Sequence, residues 1–414
     1  MMSLLTLAFR NALRNGRRTL LTAATVTIGT AFTVVTLSFL SGIMDTMARD
    51  WTDAFGPIRV ITDAYAEQER LQPLHENLAE VEPLLETTRQ IDGVARAVPM
   101  IRTGVLAAVG EELGEDPALL VGSSPEYYEH HVLARSTLNG GRWLAEGAED
   151  EEVVLGARVA RDIGAQVGDE ILLMGTTQYG SMSPISADVV GIITGNSTID
   201  AQAYVTLETI RWIVDLPDGA LEILVFPEEN ADSQIAALTQ TIDAAVGEGY
   251  TVSPWFARDV WLTGKPVMDA MELGLGVAVI FVMALAIFNT MTMSVLERTN
   301  EIGVMRAMGQ TRAGAVGSFL IESLAIGLLG GIAGAAVGAV PALYLENNGM
   351  TYAQDLVDEM DASMPIASTL YGDFNMEIVL TAVTIGVITA AIGALLPAIR
   401  AARIQPYEAM RAKR

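Results

Sequence analysis

The sequence contains no cysteine, which excludes disulfides, thiol nucleophiles and cysteine-ligated zinc. Histidine is nearly absent as well: only His75, His130 and His131 occur, and an adjacent pair in a polar stretch rarely converges on one ion, so these read as surface residues. No G-x-x-x-x-G-K-[ST] phosphate loop is present; Gly264 and Lys265 form the only Gly-Lys pair, and Pro266 follows it. The chain is therefore not itself an ATPase of that type. Neither G-x-S-x-G nor H-E-x-x-H occurs, and the acidic runs at 111–116 and 149–152 lack the glycine-centred spacing of a calcium loop. Basic charge is scarce, with 25 Lys and Arg against 50 Asp and Glu. No basic stripe exists to neutralise phosphates, and nucleic acid is excluded as a partner. The imbalance is local: residues 45–269 hold 13 basic and 38 acidic residues, and the remainder holds 12 of each. That acidic block reads as a solvated surface, with a basic partner or a saline habitat as the sharper readings.

What the sequence has in abundance is apolar length. Of 414 residues 51% are hydrophobic and only 18% charged, with a mean hydropathy of +0.37, which points to membrane segments. A hydrocarbon core of ~30 Å needs about 20 residues of helix. Four segments suffice: 19–44 without a charge, about 271–296, about 313–345 with Glu322 as its one charge, and about 378–399. The first follows Arg10, Arg14, Arg17 and Arg18 as a secretory signal would, yet it is longer than a signal core and no small-x-small site follows, so it is expected to remain as an anchor.

Arginine and lysine next to a span favour the cytoplasm. They cluster before the first span, between the second and third at Arg298, Arg306 and Arg312, and in the tail 400–414. Segment 346–377 has seven acids and no Lys or Arg. Four spans with both termini inside satisfy every flank, and the block 45–268 then lies outside with 346–377. Within that block, β-branched runs at 58–62, 152–156, 170–174, 187–193 and 221–226 read as strands, and apolar residues at helical spacing over 78–91 and 232–246 read as helices. The expected fold is thus a four-helix membrane protein with a large α/β domain inserted between helices 1 and 2, long enough for one core or two subdomains.

One short charged stretch, 295–312, separates the second and third spans. Thr299 or Asn300 can cap a helix, Glu301 then sits in the first turn, Arg306 in the last, and Gly309 can end it. Ile302, Met305 and Met308 recur at three-residue spacing and predict an apolar face. In the third span, Gly330, Gly334 and Gly338 allow close helix contact, either within the chain or at a seam between two copies. Glu322 lies ten residues past Arg312, ~15 Å of helix rise, where an acid is either paired and functional or reaches back toward water.

The segment 289–338, "NTMTMSVLERTNEIGVMRAMGQTRAGAVGSFLIESLAIGLLGGIAGAAVG", resembles the FtsX-like permease segment of ABC transporters in the MacB and LolC/LolE superfamily. Residues 7–22 resemble the amphipathic helix that opens those permeases (expected over 1–18), 396–411 their closing motif, and 138–172 with 188–193 the MacB-type periplasmic core domain. The resemblance implies a permease region over 269–414, with a coupling helix near 299–309 that docks on a separate ABC ATPase. Glu297, Arg298, Glu301, Gly303, Arg306, Ala307 and Gly309 match that pattern. It further implies no catalytic, metal or cofactor residue on this chain, ATP and Mg being held by the ATPase, and a second permease subunit as partner. The implied work is lipoprotein release from the inner membrane, with a lipoprotein and a periplasmic carrier as further partners; the alternatives are MacB-like efflux or FtsX-like signalling to a cell-wall hydrolase. Lipid-anchored cargo would pass between charge-free walls of the first two spans, with Phe39 and Leu273 near their outer ends.

Overall fold

The structure, a computed structural model, describes residues 16–69, 72–110, 115–145, 147, 151–228, 232–351 and 369–403. Most of the expected opening helix, residues 111–114 and 149–150 of the two acidic runs, the middle of segment 346–377 and the tail beyond 403 lie outside them. The chain divides into two compact units, one built around Thr46–Gly264 and the other from the flanking segments. Helix α1 (Gly16–Phe55) is 40 residues long and runs well past the expected 19–44. Its last turns carry Asp45, Arg49, Asp50 and Asp53, so composition alone gave them to the inserted block.

The inserted unit is a mixed α/β fold. In chain order it contains β1 (Ile58–Thr62), α2 (Val81–Arg89), β2 (Val94–Val109), β3 (Glu115–Ser123), β4 (Thr137–Gly141), β5 (Glu152–Gly156), α3 (Ala157–Ile163), β6 (Glu170–Thr176), β7 (Met182–Thr194), β8 (Gln202–Thr206), α4 (Leu207–Val214), β9 (Glu222–Pro227), α5 (Asp232–Val246) and β10 (Tyr250–Pro254). Strands β5 and β9 are buried along their whole length, which is why they read as unbroken apolar runs rather than alternating ones. Thr206 caps α4 by accepting from Thr209 N at 3.1 Å.

One edge is an antiparallel ribbon in the order β10, β1, β9, β2. From β2 the pairing continues through β3, β8, β5, β7 and β6 and returns to β2, closing a six-stranded ring. The 16-residue β2 belongs to both parts: Val94–Met100 pairs with β9 and Leu106–Val109 with β6. A single apolar core follows it from Ile58 and Val60 to Ile171 and Leu173, so ribbon and ring are halves of one folding unit.

A second, aromatic cluster on the sheet includes Tyr127, Tyr128, Tyr204 and Phe226. His131 belongs with it. Its ring stacks on Phe226 at 3.9 Å and on Tyr127 at 5.3 Å, so the histidine read as surface is an aromatic packing residue. Burial, then the charge of Arg96 and His130, lowers its pKa to about 4. Tyr128 Oη donates to Val205 O at 2.6 Å and accepts from Ser123 N at 2.9 Å, pinning a single turn of π-helix, Tyr128–Val132, to the strand ends.

Where α1 ends, the same unit holds a buried ionic cluster. Arg102 pairs with Glu222, and both side chains are about nine-tenths buried. Arg59 forms a two-pronged pair with Glu69 at 2.6 Å. Arg258 Nη2 donates to the carbonyls of Phe55 and Gly56 at 2.8 and 3.0 Å, closing the last turn of α1, and Arg102 lies over the Phe55 ring at 4.4 Å. Burial, with Arg59 and Arg102 adding repulsion, lowers the Arg258 pKa to about 9, which leaves it charged at neutral pH.

The flanking unit contains α1 up to Asp45 with α6 (Asp259–Glu297, from Lys265 on), α7 (Thr299–Ala307), α8 (Arg312–Asn348) and α9 (Met376–Arg403). Four of these helices, α1, α6, α8 and α9, are long and apolar enough to cross a membrane. Residues from all five helices meet in one cluster: Val26, Met283, Ile287, Ile302, Phe319, Ala390, Ala394 and Ala398. Small residues set the spacing. Gly327 and Gly331 of α8 lie against Ala390 and Val383 of α9, while Gly330, Gly334 and Gly338 lie against α1. Of the two packing roles open for that stripe, the structure shows the contact within the chain.

A candidate coupling site on the short helix

The short helix is not a separate element in a loop. Helix α6 continues to Glu297, Arg298 breaks the helical geometry with φ −92° and ψ 7°, and α7 begins at Thr299. Backbone bonds run through the break, Arg298 N to Ser294 O at 3.2 Å and Ile302 N to Arg298 O at 2.9 Å. The expected cap from Thr299 or Asn300 is therefore absent: Arg298 holds the N-cap position and makes no side-chain cap bond. Thr299 Oγ1 instead donates backward to Leu296 O at 2.8 Å, one of the carbonyls released by the bend.

The other end behaves as its sequence requires. Gly309 adopts φ +100°, Gly309 N donates to Arg306 O at 3.1 Å and Gln310 N to Met305 O at 3.1 Å, the paired bonds of a Schellman ending. Thr311 Oγ1 then accepts from Gly314 N at 3.1 Å and starts α8.

Two arginines tie this short helix to the spans. Arg298 Nη1 donates to Glu322 Oε2 of α8 at 3.0 Å, with only 12% and 9% of the two side chains exposed. Arg306 Nη1 donates to Ala402 O in the last turn of α9 at 2.7 Å. A cation at a helix C-terminus is favoured there by the exposed carbonyls. Ile302, 1% exposed, inserts into the bundle between the two ties, and Gly303 is buried beside it.

Facing outward are Glu301, Val304, Met305, Ala307 and Met308, the last 76% exposed. The face expected from Ile302, Met305 and Met308 is thus split. Ile302 is an anchor in the bundle, and the outward row is Glu301, Val304, Met305 and Met308, at i, i+3, i+4 and i+7. Glu297 is exposed at the end of α6. Of the proposed cargo-side residues, Leu273 is 69% exposed and Phe39 half-buried.

A helix with one apolar and acidic face outward, and its inward face bolted to two spans, can receive a mechanical load. The Arg298–Glu322 tie and the ionic cluster around Glu222 were not assigned from sequence, because their partners lie 24 and 120 residues apart.

Comparison with known proteins covers both units. The MacB-like periplasmic core domain matches residues 19–242, and the FtsX-like permease C-terminal region matches 273–406. A lipoprotein-releasing system transmembrane protein LolC from Xylella fastidiosa is 24% identical over 77% of this chain and 78% of its own length. A macrolide export ATP-binding/permease protein MacB from Nitrosomonas europaea is 25% identical over 95% of this chain but 56% of its own. Among solved structures, the periplasmic region of MacB from Actinobacillus actinomycetemcomitans covers 51% of this chain and 92% of its own, with 16% identity and a TM-score of 0.35. With one family matched over more than half of the sequence and the second over most of the rest, the chain belongs to the FtsX-like ABC transporter permeases that carry a MacB-like periplasmic core domain.

Proposed function

We propose that this permease couples a separate ABC ATPase to lipoprotein release from the inner membrane, with α7 as the docking element. The observation that carries the reading is the two-sided build of α7: Ile302, Arg298 and Arg306 fix its inner face to the bundle, and Glu301, Val304, Met305 and Met308 present an unbroken row on the outside. ATP and Mg belong to the ATPase, whose closure pushes on that row. The arginine asymmetry puts α7 and both termini in the cytoplasm and the inserted unit outside. A second permease subunit completes the assembly, and a periplasmic carrier receives the cargo. Lipoprotein is preferred as cargo because the similarity to a LolC spans three quarters of both chains, whereas a MacB is matched over about half of its length. Acyl chains would pass sideways over apolar surface such as Leu273 and Phe39, at ~0.8 kcal/mol per methylene removed from water.

Glu301→Arg tests the docking role, since it places a cation at the N-terminal end of α7 and in the outward row. The variant should reach the membrane in normal amount and lose co-purification with the ATPase. Full retention of ATPase and activity would remove α7 from that role. In the intact complex with hydrolysis blocked, a photo-crosslinking residue at Leu273 should capture a lipoprotein; crosslinks to phospholipid alone, with a soluble hydrolase held by the inserted unit, would select the signalling alternative.

A further inference from the structure

The bend at Arg298 poses a mechanical problem. Along the backbone, a load applied to α7 passes into α6 through one residue that has left helical geometry, and such an elbow would flex and absorb part of the motion. The structure meets that problem with one buried ion pair. We infer that Glu322 is a positioning residue: through Arg298 it locks the elbow to α8, so that α7, α6 and α8 move as one body when the docked ATPase closes. The inference rests on the docking role of α7 and adds to it the means of transmission.

Three observations support this assignment. Between Arg312 and Glu346, Glu322 is the only charged residue of α8, at a depth where a neutral side chain would be cheaper to hold. Its carboxylate meets the guanidinium of the elbow residue itself, at 3.0 Å and largely out of solvent, where such a pair is stiff and poorly screened. The far end of α7 is tied independently to α9 by Arg306 and Ala402, so losing the elbow pair would leave α7 attached but free to pivot. Mere anchoring of α7 would already be met by Ile302 and Arg306. What the pair adds is control of the bend.

The test uses the full chain in complex with its ATPase in lipid nanodiscs. Because the chain has no native cysteine, spin labels can be placed cleanly at Tyr179→Cys, exposed in the inserted unit, and Met376→Cys, exposed at the start of α9. The wild type should show a label distance that changes between the nucleotide-free and vanadate-trapped states. Glu322→Gln should keep the bound ATPase and its hydrolysis near the wild-type rate while the distance change shrinks by about fivefold or more. Arg298→Gln combined with Glu322→Gln leaves no charge buried, so that protein accumulates even if a single variant does not. It should be equally uncoupled. A wild-type distance change in the double variant would overturn the inference, since a stabilising pair with no part in transmission predicts that result. If the wild-type complex itself holds no ATPase or shows no change, the docking reading falls too; a coupled wild type with an equally coupled double variant removes only the role of Glu322.

Discussion

Glu222→Leu is expected to destabilise the inserted unit by about 3–5 kcal/mol, a large part of the stability of most domains. The carboxylate is buried among Arg102, with which it pairs, Arg59 and Arg258. Burial alone would raise its pKa, but the three guanidiniums outweigh that and hold it below the ordinary carboxylate value. Removing it leaves three cations around Glu69 as the remaining acid of the cluster, and Arg102 would keep its burial without its partner. The loss corresponds to a fall of roughly 6–20 °C in melting temperature for a unit of this size. Tryptophan fluorescence of the whole chain can read it selectively, because all five tryptophans lie between residues 46 and 264. The pH dependence has a definite sign. A carboxylate with a depressed folded pKa stabilises the fold above its unfolded pKa, and that contribution disappears as pH falls through the folded value, so the gap between wild type and variant should be full at neutral pH and narrow as pH falls below the ordinary glutamate pKa of about 4.3. A melting temperature within about 2 °C of wild type at neutral pH would mean that the site is hydrated and the charges already screened.

The parts of this molecule that could be read from its sequence are those in which the cause is local. The four spans follow from apolar length, and β1, β5 and β9 from short runs buried on both faces. Strand β2 is not legible in the sequence although it organises the unit: "VARAVPMIRTGVLAAV" mixes alanine, glycine, proline and arginine, its first half is buried without alternation against β9, and the alternation of its second half puts Thr103 inside and Leu106 outside. Closure of the ring through β6 depends on pairings that no window along the chain contains. The last turns of α1 and the first of α6 escape for the opposite reason, since they are helical but polar, and a membrane criterion ends where the apolar run ends.

At the short helix the limits were similar. Glycine at 309 specifies a local event and could be read in place, whereas arginine at 306 could be read only as a basic residue of the last turn, because its acceptor Ala402 O lies 96 residues away. Three-residue spacing gave Ile302, Met305 and Met308 a common face, yet spacing cannot say which side of a helix the bundle will cover. The cap is displaced because α6 runs into α7 with no loop between them: Arg298 takes the N-cap position, its N–H bonded back to Ser294 O, and Thr299 is already helical. Glu322 stood out as a lone acid, but its partner had to come from the fold.

The second large effect is expected where α8 crosses α1. A methyl group added to Gly334 would come within 2.5 Å of Thr27 O, and one on Gly338 within 2.7 Å of Ala31 O. Both obstacles are backbone atoms that cannot rotate aside, so a substituted pair of helices must separate. Separation is costly in a bilayer because lipid is as apolar as leucine and association depends on close packing and on polar contacts such as Thr27 Oγ1 to Gly330 O, here 3.2 Å. The same helix supplies a control: nothing lies within 4 Å of a methyl group on Gly317. Alanine there should be neutral or stabilising by up to about 1 kcal/mol, since glycine is a poor helix former. Gly334→Ala should have the opposite sign, with a cost of about 1–3 kcal/mol, and Gly334→Leu should exceed it. Heating each variant in detergent and measuring the fraction that remains monodisperse by size-exclusion chromatography compares them directly. Loss at Gly334 with none at Gly317 is the expected pattern, whereas equal tolerance at both positions would mean that α1 and α8 do not approach this closely in the membrane.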